Sequence, residues 1–370
     1  MGGELPSLGG IAESGQVSAE TAGIPEIAKD YHELNRRIRR AGLLETRDSF
    51  YLGKYGLMAA LFAGTWVLAP GAPWVAGLLF GLFIQQAAFI GHDLGHNSVM
   101  TRDRGWLFNR KYKRAGTWAI ANLCFGTDGL NWSAYHERHH KLNLRYGKDP
   151  QNNHMPWILY EAGEFDDYTR RHGPITPLQR FWLRHQHLFV LPLMLAYGKF
   201  NMLVKSKKLF IRAQYFRFLG IVAHVAIWTA LIVRTDYSFG FFAIALVTCG
   251  VLHIQILLSH AYMPRFTEAE QHQLGWIRYQ VLGTQNVETS WYDDWFHGGL
   301  QYQIEHHLFP GVPRHNLRTI RPWVVEFCRK HGLPYRSDPF LVCITDMVSS
   351  LYREARKVEY LETREVEVRV

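Results

Sequence analysis

A stretch of 37 residues without a charged side chain, residues 55–91, most constrains the fold of this chain. A Pro-Gly-Ala-Pro turn at residues 70–73 divides it into two apolar pieces, and a second pair of apolar pieces meets at Arg234-Thr235-Asp236. A helix needs about 20 predominantly apolar residues to cross a bilayer. The sequence therefore predicts an all-α integral membrane protein with two transmembrane hairpins. The four predicted helices lie at about residues 51–69, 74–92, 217–234 and 239–260.

The distribution of basic residues indicates which side of the membrane carries the soluble part. If both hairpins enter and leave from one side, 40 of the 41 Lys and Arg residues lie on that side, and only Arg234 lies in a far turn. This is the positive-inside bias of cytosolic segments. The net charge of +9 does not indicate nucleic-acid binding, because the basic residues form no stripe beside stacking aromatics.

The remaining segments have different compositions. Residues 1–23 are rich in Gly, Ser and Glu and are predicted to be a disordered tail. Residues 24–54 are predicted to contain an amphipathic helix on an anionic membrane surface, with a basic face opposite the apolar one. The apolar run 188–198 is too short for a fifth span and is expected to be interfacial or buried. Residues 55–340 form the main domain, and 341–370 a C-terminal cytosolic tail.

Three histidine clusters indicate a metal centre. They are His92-x-x-x-His96, His136-x-x-His139-His140 and Gln303-x-x-His306-His307, and His260 ends the fourth predicted span. Spacings of three and four residues place side chains on one face of a helix. Because two crossings separate the second cluster from the third, all of these residues return to one membrane face. They are predicted to form a single site.

The number of candidate ligands suggests two ions. Zinc takes four ligands, so eight histidines are too many for one ion. Imidazole suits iron, copper, nickel and zinc, which leaves the identity of the metal open. His253, two helical turns before His260, is a further possible ligand. Asp93, Asp149, Glu137 and Glu305 are candidates for acceptors that orient imidazole N–H groups.

The strings around these histidines resemble a known family. GHDLGHNS at residues 91–98, HERHH at 136–140 and DWFHGGLQYQIEHHLFPGVPRHNL at 294–317 are similar to the membrane fatty-acid desaturases. Gln303 stands where most desaturases have a histidine, which is typical of the front-end group that includes sphingolipid delta-8 enzymes. The resemblance extends from about residue 25 to about residue 336.

This resemblance implies a fold, a cofactor and a location. Four transmembrane helices would lie under a helical cytosolic cap that holds two non-haem irons, in the endoplasmic reticulum membrane. The seven clustered histidines would bind iron, with His260 as an additional ligand and Gln303 as a direct or water-mediated one. Ile256 replaces an asparagine found in acyl-CoA relatives, so the neighbouring Gln255 and His253 leave that coordination position open. O2 would be the co-substrate.

Electrons would come from a separate carrier. Many front-end desaturases carry a fused cytochrome b5 domain with a His-Pro-Gly-Gly motif, which these 370 residues lack. The expected partner is a separate cytochrome b5 with its reductase, or a ferredoxin-type carrier, docking on the basic cap.

The sequence is compatible with four functions. The histidines suit a desaturase of an acyl-lipid, acyl-CoA or sphingolipid chain, and they equally suit a di-iron lipid hydroxylase. A zinc-dependent lipid hydrolase and a non-enzymatic membrane binding protein are more distant alternatives. The substrate head group and the position of the double bond stay open.

Overall fold

The described part of the chain is mostly helical. The computed structural model describes residues 24–103, 108–205, 208, 212 and 214–369, so the predicted disordered tail lies outside the described residues. In chain order the helices are α1 (Ile24–Arg40), α2 (Asp48–Leu68), α3 (Pro73–Gly95), α4 (Lys113–Thr117), α5 (Gly129–Leu142), α6 (Ala162–His172), α7 (Pro177–Arg184), α8 (Gln186–Lys205), α9 (Tyr215–Arg234), α10 (Ser238–Leu258), α11 (Glu268–Leu274), α12 (Trp276–Leu282), α13 (Asp294–His297), α14 (Gln303–Leu308), α15 (Arg314–Lys330), α16 (Phe340–Ala355) and α17 (Val358–Arg369). A 3-10 turn (Arg110–Tyr112) precedes α4, and a π-helix (Trp118–Phe125) follows it.

A short parallel sheet departs from the all-α prediction. Strand β1 (Asn286–Glu288) pairs with β2 (Ser337–Pro339), with Asn286 opposite Ser337. Three residues per strand are too few to show the two-residue alternation by which a strand is recognised in a sequence.

The four predicted spans correspond to α2, α3, α9 and α10. Within the described part of the chain, α3, α9 and α10 are long and apolar enough to cross a membrane. Helix α2 has 21 residues, which is long enough, but Lys54 in its second turn makes it less apolar than the other three helices. The structure is therefore that of a helical protein with three candidate spans.

Small residues let α3 and α10 approach each other closely. A Cβ atom added at Gly77 would lie 2.6 Å from the carbonyl oxygen of Phe241, and one added at Gly81 would lie 2.4 Å from Cβ of Thr248. Close backbone contact through small residues is how helices pack in a membrane. As a result, the ends of α3 and α10 that carry His92, His96 and His260 lie side by side.

The segment that is too short for a fifth span forms part of α8. This helix contains Pro192 and packs along α10, where Gly250 faces the backbone of Leu195. Val190 is buried in a cluster shared with Leu257 of α10. At these contacts α8 is packed against protein.

Helix α1 is amphipathic, as predicted, but its apolar face is covered by protein. Ile27, Leu34 and Ile38 are buried against Val281 of α12 and Ile320 of α15. This packing differs from the predicted contact of that face with a membrane surface. The reason is that the cap presents an apolar surface of its own, which only the three-dimensional structure reveals.

The C-terminal segment is also more ordered than a tail. It forms α16 and α17, and Cys343, Met347 and Leu351 of α16 are buried against the cap and α8. Val358 and Leu361 of α17 are buried near Phe165 of α6. The segment therefore belongs to the folded cap.

We expect Gly250→Ala to destabilise the protein by about 1–3 kcal/mol, as overpacking of a tight contact does. The added Cβ would lie 2.0 Å from the carbonyl oxygen of Leu195. Gly56→Ala is the matched control, because nothing lies within 4 Å of a Cβ there, and alanine is favoured over glycine in a helix by about 0.5–1 kcal/mol. Thermal unfolding in detergent compares the variants; equal midpoints would contradict the proposed α8–α10 contact.

Candidate metal centre

Helix ends and short helices carry the histidines to one place. His92 lies in the last turn of α3, and His96 caps that helix. Helix α5 is capped at its start by Asp128, whose side chain accepts from the N–H of Asn131. Its buried face carries the second cluster, His136, His139 and His140. His306 and His307 are buried in α14, and buried His260 follows the end of α10.

The imidazoles form two groups. In the first group, which we call site A, the ligand nitrogens of His92, His96, His136 and His306 all lie within 4.8 Å of one another. In the second, site B, the same holds for His139, His260 and His307. Each site thus joins residues from distant parts of the sequence, as the topology predicted.

His140 lies between the two sites. Its Nε2 is 3.2 Å from Nε2 of His136 in site A. Its ring centroid is 4.3 Å from that of His307 in site B. The eight predicted histidines therefore meet as one constellation, with His140 able to complete either group.

Several ring nitrogens in this constellation are buried without a hydrogen-bond partner in the part of the chain that the structure describes. They are Nε2 of His96, Nδ1 of His140, and Nε2 of both His306 and His307. A buried polar atom without a partner is costly, and a metal ion is one of the few partners that several imidazoles can share. The donor set therefore fits metal binding.

Burial also keeps these imidazoles in the form that binds metal. It lowers the pKa values of His140, His306 and His307 well below the ordinary histidine value, and the neighbouring imidazoles lower them further. Neutral imidazole is the ligand form of histidine.

The Nδ1 atoms of four of these imidazoles lie next to hydrogen-bond acceptors. His139 Nδ1 lies 2.9 Å from Asp149 Oδ2, and His307 Nδ1 lies 2.8 Å from Oε1 of Gln280. His260 Nδ1 lies 2.9 Å from the carbonyl oxygen of Gly283, and His136 Nδ1 lies 2.8 Å from Oε1 of Gln151. When these Nδ1 atoms donate, Nε2 of each ring is left for a metal.

Gln280 joins two clusters. Besides accepting from His307, its amide donates to the carbonyl oxygen of His140 at 2.6 Å. Gln280 and Gln151 belong to no recognisable motif, so nothing in the sequence marks them as partners of the histidines.

Asp149 is a buried carboxylate that stays ionised. Burial would raise its pKa, but the attraction of His139 and the hydrogen bonds from His139 and the backbone of Leu144 and Gln151 outweigh burial and lower the pKa. The predicted role of Asp149 as an acceptor for an imidazole agrees with this geometry.

The other three predicted acids, Asp93, Glu305 and Glu137, make different contacts from Asp149. Asp93 Oδ1 is 3.7 Å from Nδ1 of His92, while its Oδ2 accepts from Tyr51 and lies 3.0 Å from Nε of Arg314. Glu305 is buried and accepts from Asn286 and Tyr335. Glu137 is exposed and pairs with Lys141, because it lies on the outer face of α5.

Gln255 and His253 are the candidates for the coordination position left open near Ile256, and neither is among the residues of sites A and B. Gln255 accepts from Gln85 and lies 3.3 Å from Nδ1 of His297. His253 packs on Gly198, and neither of its ring nitrogens has a partner. His253 thus joins neither site among the described residues. Gln303 is buried at the start of α14, next to the third cluster.

The two sites differ in access. Two small clefts border site A. The first is lined by His92, His96 and His306, and the second by His96 and His136 together with Ser133. The three histidines of site B are all buried. Among the described residues, site A is therefore the more open of the two sites.

Comparison with known proteins identifies relatives of the whole domain. Residues 35–339 match the family model described as fatty acid desaturase. The chain is 31% identical to a delta(8)-fatty-acid desaturase of Arabidopsis thaliana, over 85% of this chain and 72% of that protein. It is 30% identical to an acyl-lipid (9-3)-desaturase of Borago officinalis, over 86% of this chain and 72% of that protein. It is 28% identical to a delta 8-(E)-sphingolipid desaturase of Komagataella phaffii, over 84% and 59%.

We expect Asp149→Asn to weaken metal binding by about 10–100-fold, as the loss of a partner behind a ligating imidazole does. The amide would place an NH2 group among N–H donors that now meet a carboxylate. Metal content after dialysis against a graded chelator measures the loss. Glu137→Gln, which alters an exposed acid on the same helix, is expected to keep full metal content. Equal losses in the two variants would contradict the role of Asp149.

We expect metal binding to release less than about one proton per ion at pH 6.5, because ligands with a lowered pKa are already neutral there. Ordinary histidines would be about half protonated at that pH and would release protons on binding. Calorimetric titration of the metal-free protein with Zn²⁺, in buffers of different ionisation enthalpy, counts the protons. Release of two or more protons per ion would contradict the lowered pKa values of His140, His306 and His307.

Proposed function

Because this chain belongs to the fatty acid desaturase family, we propose that sites A and B hold two iron ions with which it desaturates a lipid near its head group. The family and the relatives make the protein an oxidoreductase that introduces a double bond into a lipid chain. The observation that carries the proposal is the meeting of eight histidines, six of them buried, from four separate segments, with several buried ring nitrogens that have no hydrogen-bond partner among the described residues.

The ligand assignment follows the two groups. We assign one ion to His92, His96, His136 and His306, and the other to His139, His260 and His307. His140 completes one of the two, and Gln303 is a direct or water-mediated ligand. When bound, iron would supply the oxidising chemistry with O2 that amino-acid side chains lack. In the overall reaction, –CH2–CH2– plus O2, two electrons and two protons become –CH=CH– and two waters.

The protein's own residues supply position. Asp149, Gln280, Gln151 and the carbonyl of Gly283 hold four rings in place, so the ligand nitrogens need little reorganisation. We place the lipid chain on the side of site A, the more open of the two sites. A chain held in one register against fixed ligands makes the double-bond position a distance from the head group.

In the membrane, we propose that α2 crosses together with α3, α9 and α10, with Lys54 reaching up to the interface. All eight histidines then lie on the side that carries 40 of the 41 basic residues. The positive-inside bias makes this side cytosolic. The endoplasmic reticulum is the location that suits such an enzyme.

The two electrons would come from a separate carrier, a cytochrome b5 with its reductase or a ferredoxin-type protein. Exposed basic residues on α4 and α5, among them Arg114 and Arg138, provide a surface that suits an acidic partner.

The substrate is proposed to be a fatty acyl chain or a sphingolipid long-chain base. The named relatives include fatty-acid, acyl-lipid and sphingolipid desaturases. Expression in a desaturase-deficient host, followed by profiling of total lipids and long-chain bases, tests the proposal. A product lacking two hydrogens, formed only with O2, is expected. A product that gains one oxygen would identify a hydroxylase instead.

We expect His139→Ala to abolish desaturation and to lower bound iron, because it removes a ligand of site B that lies between Asp149 and His307. His172→Ala is the control, since His172 is exposed at the end of α6. Product analysis and iron determination on the same preparations compare the two. Full activity in His139→Ala would overturn the site assignment.

A further inference from the structure

Three aromatic side chains stand out from the segment that leads into the third histidine cluster. Trp291, Tyr292 and Trp295 expose 79%, 63% and 40% of their surface. They lie in residues 290–296, which we call the aromatic segment. The proposed function makes no use of them, and exposed aromatics of this size at one place mark an interaction surface.

The aromatic segment is attached to two candidate membrane helices. The side-chain amide of Gln86 on α3 donates to the carbonyl oxygen of Trp295 at 3.0 Å, and that of Gln255 on α10 donates to the carbonyl of Phe296 at 3.0 Å. Gln85 in turn donates to Gln255 at 3.0 Å. All three glutamines are buried. The segment therefore lies in contact with both helices.

Helix geometry gives the depth of this attachment. Trp74, exposed near the far end of α3, is 12 residues before Gln86, a rise of about 18 Å at 1.5 Å per residue. Phe239, exposed near the far end of α10, is 16 residues before Gln255, a rise of about 24 Å. The hydrocarbon core is about 30 Å thick. The carbonyls of Trp295 and Phe296 therefore lie below its histidine-side boundary.

Hydrogen bonding at this depth agrees with the placement. Non-helical backbone is tolerated at membrane depth only where protein groups satisfy it. The amides of Gln86 and Gln255 do this for two carbonyl groups. The acids of the segment are also satisfied, since Asp293 accepts from the N–H of Ser290 and Asp294 pairs with Arg318. The most exposed side chains of the segment are its aromatic ones.

Exposed aromatics also occur where a membrane boundary is expected. At the far ends of the helices Trp66, Trp74, Tyr237 and Phe239 are exposed. On the histidine side Tyr215 and Phe216 are exposed at the start of α9. Tryptophan and tyrosine are enriched at both interfaces of a bilayer. The aromatic segment adds three further exposed aromatic side chains on the histidine side.

We propose that the aromatic segment is embedded in the membrane leaflet on the histidine side, with Trp291, Tyr292 and Trp295 at the boundary between head groups and acyl chains. The partner of this surface is the lipid bilayer itself. The proposal requires α3 and α10 to cross the membrane, and it is independent of the metal and the reaction. It places a lipid-facing surface directly before the third histidine cluster.

Tryptophan fluorescence in nanodiscs tests this placement. The protein is reconstituted in phosphatidylcholine that carries bromine on its acyl chains, and quenching is compared with unbrominated lipid. We expect the double variant Trp291→Phe, Trp295→Phe to lose a measurable part of the lipid-quenched emission. Trp276→Phe is the control, because Trp276 is partly exposed in the cap beside Tyr31. It is expected to leave the lipid-quenched emission unchanged.

Acrylamide, which quenches from water, gives the opposite comparison. Trp276→Phe should reduce the acrylamide-quenched emission more than the double variant does. The proposal is overturned if the double variant retains all lipid quenching. If the double variant loses only acrylamide-quenched emission, the segment lies in water. If it loses neither the acrylamide-quenched nor the lipid-quenched emission, the segment is covered by a protein partner or a second copy. The single variants Trp291→Phe and Trp295→Phe replace the double variant if it does not fold. Iron content and desaturation, measured in parallel, test the proposed function separately.

Discussion

The close contact between α3 and α10 is the constraint on which the candidate metal centre depends. Gly77 and Gly81 bring the two helices together side by side, so that the end of one, with His92 and His96, and the end of the other, followed by His260, contribute to the same constellation. A larger side chain at either glycine would separate these ends. Packing inside the apolar bundle thus decides the distance between ligands outside it, and α5 and α14 complete the constellation above this base.

Much of this arrangement could be predicted from the sequence. The uncharged stretches locate the long helices to within a few residues, because length and hydropathy are properties of contiguous residues. The spacing of the histidines predicts their helical faces for the same reason, and the hairpin topology predicts that they meet. The family follows from the strings around them, of which Gln303 is the most specific residue.

What could not be predicted depends on contacts between distant segments. The apolar face of α1 has the pattern of a membrane-surface helix, and only the apolar surface of the cap shows that Ile38 is covered by protein. Gln280 is an ordinary residue of α12 until its contacts with His307 and His140 are seen. The split of the histidines into two sites, with His140 between them, likewise depends on distances that spacing does not contain.

The position of His140 would link the two proposed ions thermodynamically. Its ring lies between sites A and B, and Gln280 ties the backbone of His140 to the ring of His307 in site B. An ion bound at one site would therefore change the ligand geometry that the other offers, and by linkage the effect would be reciprocal. The two ions would then bind with a coupling energy, which a protein with two independent metal sites would not have.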